Sequence, residues 1–189
     1  MKKLFLLLLM GTLYLSKSQA QNIFICRDAL ISFYSSAPIE DISAETHKAV
    51  SAINMQTGAV YFKVPIKSFQ FPKSLMQEHF NTDYLESDQY PFAEFQGTIL
   101  NYQRPQGDGT YPVTVQGKLT IHGVTKDYKE PGTLQVKDGK LTATSSFSVT
   151  LADHHIKIPT ILFNNIAEVV SVKLQAVYDP QTETTARNN

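Results

Sequence analysis

The sequence of 189 residues contains no tryptophan and a single cysteine, Cys26. One cysteine cannot form an intramolecular disulfide, so stability must come from a packed core. The composition predicts that Cys26 is a partly buried thiol in the first strand. We expect no lipid anchor on this cysteine, because the preceding Ile23, Phe24 and Ile25 are not the small residues that lipoprotein processing needs.

Long apolar runs are absent except at the N-terminus. There Lys2 and Lys3 precede an apolar run from Leu4 to Met10, and Ser18-Gln19-Ala20 resembles a signal peptidase site. Residues 1–20 are therefore predicted to be a cleaved secretory signal peptide, too short to span a bilayer. We expect a soluble periplasmic protein without an integral membrane segment, as a monomer or homodimer.

An excess of either charge is also absent, since 17 basic residues balance 17 acidic ones. Removing the predicted signal peptide leaves 14 basic residues and a formal charge of about −3. A nearly neutral surface argues against nucleic acid or an anionic membrane as a partner.

Known catalytic motifs are absent too. The chain has no G-x-S-x-G, H-E-x-x-H or C-x-x-C sequence. We therefore predict a protein that is not an enzyme, with no catalytic residue, no metal and no cofactor. An alternative is a metal or hydrolase site centred on His79, because His79, Asp83 and Glu86 have helical spacing. The simpler interpretation is a solvated helix face.

Adjacent Asp153, His154 and His155 form a second candidate cluster. Neighbouring residues of a strand point to opposite faces, so both imidazoles could not reach one ion without a bulge. A turn is the favoured interpretation here, and His122 before Gly123 is assigned to a hairpin tip.

Alternation with a period of two dominates the rest of the chain and indicates strands with one wet face. In the first third the strands are predicted to be shorter, because "AETHKAVSAINMQTG" is more polar. About eight strands are predicted: 29–37, 45–53, 59–69, 93–102, 110–123, 124–136, 140–151 and 170–178.

Short links such as Gln56-Thr57-Gly58 and Asp138-Gly139 join these strands and predict antiparallel neighbours. The predicted fold is all-β, a sandwich or a closed barrel, with Gly97 and Gly117 allowing tight bends of a barrel wall. We expect one domain over residues 21–180 and a disordered tail over 181–189.

One stretch interrupts the alternation. Ser74 and Gln77 form a predicted capping box, and apolar Met76, Phe80 and Tyr84 follow at spacings of four. A short amphipathic helix over about 75–85 is predicted to cover the barrel mouth, with its carboxylates in water.

Four ordered stretches resemble the YceI-like family of secreted lipid-binding proteins. They are "ISFYSSAPIEDISA", "FKVPIKSFQFPKSLMQEHFNTDYLESDQYPFAEFQG", "DGTYPVTVQGKLTIHGVTKD" and "IKIPTILFNNIAEVVSVKL". The resemblance implies a lipocalin-like antiparallel β-barrel that binds an isoprenoid or another long-chain apolar molecule inside, without metal or catalysis.

The leading hypothesis is therefore a non-enzymatic carrier or scavenger of a long-chain lipid. The alternative is a packed barrel that binds a protein partner through its loops, since periodicity alone does not distinguish a filled barrel from an empty one. The predicted ligand-binding residues are the inward strand positions and the apolar helix side: Phe33, Phe62, Val64, Phe69, Met76, Phe80, Tyr84, Phe95, Val113, Val115, Leu119 and Phe147.

Overall fold

A computed structural model describes residues 22–36, 41–157 and 167–180. The predicted signal peptide and the predicted disordered tail lie outside these residues. The strands are β1 (Ile23–Ser35), β2 (Ile42–Asn54), β3 (Ala59–Pro65), β4 (Phe92–Ile99), β5 (Gly109–Ile121), β6 (Val124–Lys137), β7 (Lys140–Thr150) and β8 (Val169–Pro180).

The eight strands form one closed antiparallel barrel in which each strand pairs with the next along the chain. Pairing of β1 with β8, for example Phe33 opposite Val172, closes the barrel. The predicted all-β barrel with one short helix is thus confirmed, and the sandwich is excluded. No helix in the described part of the chain is long and apolar enough to cross a membrane.

Two hairpins have the turns that the sequence predicted. Ile121 pairs with Val124 across His122-Gly123, and Lys137 pairs with Lys140 across Asp138-Gly139. All four loop residues have φ between 51° and 76°. These are the positive angles of type I′ turns, whose twist matches that of the flanking strands.

The prediction of shorter strands in the first third is wrong. Strands β1 and β2 have 13 residues each, and β1 begins at Ile23, six residues before the predicted start. Register shifts lie between Cys26 and Ala29 and between Ala29 and Ile31. Each shift interrupts the period of two, so the alternation did not reveal the first part of the strand.

The predicted inward faces are confirmed. Val60, Phe62 and Val64 of β3 are buried in the core, as is Cys26 of β1. Burial raises the pKa of the Cys26 thiol above its ordinary value, which keeps the thiol protonated and unreactive.

Gly97 and Gly117 lie opposite each other on β4 and β5. A Cβ atom on Gly117 would be 2.3 Å from the Gln96 carbonyl oxygen and 2.7 Å from Cζ of Phe95. The Phe95 ring therefore lies across both glycines, and the two strands approach too closely there for any side chain.

Candidate binding cavity

The barrel encloses a cavity of about 420 Å³ with an almost entirely apolar wall. Its volume is within the range of about 300 to 1,000 Å³ that is usual for small-molecule sites. Buried Ile66, Leu85 and Ile156 pack together at the end where the helix lies. The barrel is therefore hollow in its middle, although its core residues pack normally around the cavity.

All twelve residues predicted as lining lie on the cavity wall. Phe69 follows the 3₁₀ turn Ile66–Ser68 after β3, and eight lie on strands: Phe33, Phe62, Val64, Phe95, Val113, Val115, Leu119 and Phe147. Met76, Phe80 and Tyr84 reach the cavity from the helical segment. The structure brings the whole predicted set together around one space.

Sequence reasoning missed several other wall residues. Ile31, Phe71, Tyr128, Glu130 and Tyr178 also line the cavity. Ile31 and Tyr178 have the same alternation signal as the residues that were chosen. Glu130 had no signal of its own, because a carboxylate on an inward position reads as a break in the pattern.

The helical segment consists of α1 (Ser74–His79) and a π-helical turn, Phe80–Tyr84. Its existence and extent were predicted, but the capping box is wrong. Lys73 is the N-cap residue and Ser74 lies within the helix. The Gln77 side chain instead accepts a hydrogen bond from the backbone N–H of Phe71, at 3.3 Å. Leu75 points outward and is 62 % exposed.

Four phenylalanine rings hold this segment to the barrel. The ring of Phe80 lies 5.6 Å from Phe33, 5.6 Å from Phe69 and 5.0 Å from Phe71, measured between centroids. Such tilted and stacked pairs each add about 0.5–1.5 kcal/mol beyond burial. The segment therefore covers this end of the barrel through Phe80, the first residue after α1.

A buried hydrogen bond fixes the barrel wall near the opposite end. The Tyr178 hydroxyl lies 2.6 Å from Oγ of Ser51, and that Oγ donates to the carbonyl oxygen of Tyr61 at 2.9 Å. Both residues are fully buried. Burial raises the pKa of Tyr178 well above its ordinary value, so the phenol stays neutral.

The structure separates the three residues of the proposed His79 site. Nδ1 of His79 lies 2.5 Å from the Asp83 carboxylate, and this hydrogen bond lowers the pKa of Asp83. Glu86 points elsewhere, because its carboxylate lies 2.6 Å from Nε2 of His122. Helical geometry ends at Tyr84, and Glu86 has a positive φ of 42°. The predicted shared face is therefore wrong for Glu86.

The second cluster is a turn, as the sequence indicated. Leu151–His154 is a single 3₁₀ turn and His155 has a positive φ of 57°. His154 is fully buried, with Nε2 at 3.0 Å from the Tyr128 hydroxyl and Nδ1 at 3.1 Å from the Val124 carbonyl oxygen. Burial lowers the pKa of His154, so the neutral imidazole joins this turn to β6.

Within residues 22–36, 41–157 and 167–180, no group of three or more His, Cys, Asp or Glu side chains is placed to hold a metal. In the His79–Asp83 pair and in the His122–Glu86 pair, a ring nitrogen of the histidine contacts a carboxylate of the same chain. The first pair lies within the helical segment, and only the second joins separate elements, the β5–β6 turn and the residues after the helix.

A closed eight-stranded barrel with an apolar cavity and a helical cover agrees with the resemblance seen in the sequence. The chain matches the YceI-like domain over residues 17–178. It belongs to the YceI-like family. Comparison with curated protein sequences gives no match.

Solved structures show the same fold. A polyisoprenoid binding domain from Saccharophagus degradans has a TM-score of 0.73 at 14% identity, over 85% of this chain and 99% of that one. BcnA of Burkholderia cenocepacia gives 0.67 at 19% identity, over 79% and 95%. The Campylobacter jejuni YCEI protein gives 0.53 at 18% identity, over 71% and 81%. The YceI-like barrel is therefore retained at low sequence identity.

Proposed function

We propose that this YceI-like protein is a non-enzymatic binding protein that holds a long-chain apolar lipid inside its barrel. The observation that carries the proposal is the 420 Å³ cavity with its apolar wall. An apolar chain gains about 0.8 kcal/mol for each CH₂ group that it moves from water into such a space. The polyisoprenoid-binding activity named for the Saccharophagus degradans domain supports a ligand of this class.

The packed interaction module is less well supported. A barrel that acts only as a scaffold gains stability from a filled interior, because each void lowers the dispersion energy of the side chains around it. This barrel has space at Val115 and Phe147, in the middle of two strands. The hollow interior favours the carrier hypothesis.

The periplasm is the proposed location, and it depends on the signal peptide predicted over residues 1–20. In that compartment a carrier would shield a lipid chain from water between two membranes. We propose no catalytic step, since the polar groups on the cavity wall form no nucleophile and base pair among the described residues.

The test is organic extraction of the protein as purified, followed by mass spectrometry of the extract. We expect a long-chain species in near-equimolar amount, absent from a sample that was unfolded and washed before extraction. If no long-chain species is extracted and delipidated protein takes up no long-chain probe, the lipid-binding function is wrong.

A further inference from the structure

The barrel wall has a gap between β6 and β7. These strands pair only from Gly132 opposite Ser145 to Lys137 opposite Lys140. The remaining parts, Val124–Pro131 of β6 and Ser146–Thr150 of β7, form no ladder with each other. Each of the two strands keeps its pairing with its other neighbour. Strand β6 pairs with β5 from Val124 to Val136, and β7 pairs with β8 as far as Thr150.

Pro131 explains where the ladder stops. Its carbonyl oxygen accepts a hydrogen bond from Oγ of Ser145 at 2.6 Å and therefore points towards β7. In a strand the N–H and C=O of one residue point to the same side, so the nitrogen of Pro131 also faces β7. Proline has no N–H to donate, and a central strand interrupted in this way becomes a local edge.

The cavity wall is one strand layer thick where the gap begins. Gly132 and Ser145 form the edge of the gap, and they contact the cavity together with Thr133 and Thr144. All four residues also line a groove on the outside of the barrel, together with Lys173 of β8. Side chains bridge the gap further along: the Tyr128 ring contacts Phe147, and His154 bonds to the Tyr128 hydroxyl and the Val124 carbonyl oxygen.

A carboxylate lies beside this gap. Glu130 is opposite Val115 in the β5–β6 register and lines the cavity with it. The other cavity-lining carboxylate, Glu94, is paired with Lys63 at 2.9 Å. The Glu130 carboxylate makes no hydrogen bond or ion pair with any residue that the structure describes. Its charge acts on the cavity wall, where it raises the pKa of Tyr128 after the larger effects of burial and Asp153.

We propose that the polar end of the bound lipid lies in the gap between β6 and β7, where Glu130 accepts a hydrogen bond from it. An ionised carboxylate only accepts hydrogen bonds and repels anions. The preferred ligand therefore ends in an uncharged or cationic donor, such as a long-chain alcohol or amine, and not in a carboxylate or phosphate. This inference rests on the proposed function and adds the class of the end group.

The test uses delipidated protein and three probes with the same long alkyl chain that end in a primary alcohol, an amine or a carboxylate. We expect the carboxylate probe to bind about tenfold or more weakly than the alcohol, because it would place two like charges together against an apolar wall. Glu130→Gln should remove this preference, so that the alcohol and carboxylate probes bind the variant within about threefold of each other.

Asp127→Asn is the matched control. It removes the same charge from the same strand, but Asp127 is paired with Lys118 and is 80 % exposed. This variant should keep the wild-type preference.

Three outcomes would overturn the inference. Equal affinity for the three probes in wild type would contradict a role for Glu130, and so would a preference that Glu130→Gln leaves unchanged. Tighter binding of the carboxylate probe would assign the end group to Lys173 instead. In each case the probes still bind and the proposed function stands. If none of the three probes binds, the proposed function fails and this inference fails with it.

Discussion

At the scale of single residues, the Tyr178 hydroxyl shows how the barrel tolerates a buried polar group. Ser51 uses its own hydrogen for the Tyr61 carbonyl, so Tyr178 must donate to Oγ of Ser51. Tyr178→Phe leaves Oγ without this donor, and Ser51→Ala leaves the phenol unpaired. We expect each change to lower the free energy of unfolding by about 1–3 kcal/mol. The double variant should cost less than the sum, measured by urea unfolding.

Tyr178 also predicts how stability changes at alkaline pH. Burial raises its folded-state pKa above the ordinary value of about 10. Its contribution is therefore fully present below pH 10 and is lost as the pH rises further, because only the unfolded chain ionises readily. Between about pH 9 and 11, wild type should lose more stability than Tyr178→Phe. Parallel pH profiles for the two proteins would show that Tyr178 is not the source of the alkaline loss of stability.

The inward side chains could be predicted from sequence, but their polar partners could not. Alternation assigned Val113, Val115 and Leu119 to the cavity correctly, because a strand fixes the face of every second residue. Ser51 and Tyr178 are separated by 127 residues, and no local pattern connects them. Glu130 was missed because its role depends on the gap beside it, which is a property of two strands together.

At the scale of elements, the contact of β4 with β5 depends on the absence of two side chains. Gly117→Ala would place Cβ at 2.5 Å from Cα of Gly97. The two nearest obstacles, this Cα and the Gln96 carbonyl oxygen, are backbone atoms that cannot rotate away. We expect a loss of about 3 kcal/mol or more of unfolding free energy, at the upper end of overpacking effects.

Gly107→Ala is the control for that substitution. No atom lies within 4 Å of the Cβ position at Gly107, so the change should remain within about 0.5 kcal/mol. Thermal or urea unfolding of the two variants provides the comparison. Equal stability of both would show that β4 and β5 do not approach as closely as described.

The 3₁₀ turn Leu151–His154 should make the protein sensitive to acid. Burial lowers the pKa of His154 below its ordinary value of 6.5. The stabilisation is therefore present above about pH 6.5 and is lost as the pH falls, because protons bind preferentially to the unfolded chain. His154→Gln should reduce this loss, since an amide does not titrate. His47→Gln, an exposed control, should retain the wild-type profile between pH 7 and 5.

Element boundaries were predicted correctly only where the local sequence signal was clear. The turns at His122-Gly123 and Asp138-Gly139 were predicted correctly, because two successive positive φ angles favour few residue types. The start of β1 was missed because two bulges shift the alternation. The cap of α1 was misassigned because the Gln77 side chain bonds to Phe71, in the segment before the helix.

At the scale of the whole molecule, alternating strands with short links predicted a sandwich or a closed barrel, and the resemblance to the YceI-like family favoured the barrel. The cavity inside the barrel could not be predicted from the sequence. It depends on whether inward side chains meet across the barrel, and alternation gives their direction but not the distance between opposite walls.

Secretion gives a prediction for the intact chain. The protein isolated from its native compartment should begin at Gln21 and contain one free thiol that reacts only after unfolding, because Cys26 is 2 % exposed. Intact mass spectrometry and thiol labelling check both points. Retention of residues 1–20, or an acyl group on Cys26, would contradict the proposed location.

The central claim is that the cavity inside the barrel accommodates the apolar chain of a lipid. Val115 lies on the cavity wall, so Val115→Phe adds volume inside the barrel. We expect delipidated Val115→Phe to lose less than about 1 kcal/mol of unfolding free energy, because the ring has room. Leu141→Phe is the control, at a core position away from the cavity that is 2 % exposed, and should lose about 1–3 kcal/mol.

The most direct measurement is the affinity of delipidated wild type and Val115→Phe for one fluorescent long-chain probe. The ring would occupy space that the chain needs, so we expect binding by the variant to be about tenfold weaker or more, which corresponds to about 1.4 kcal/mol. Unchanged affinity in a variant that is clearly destabilised would contradict an internal site, since the added ring would then have disturbed a packed core without reaching the ligand.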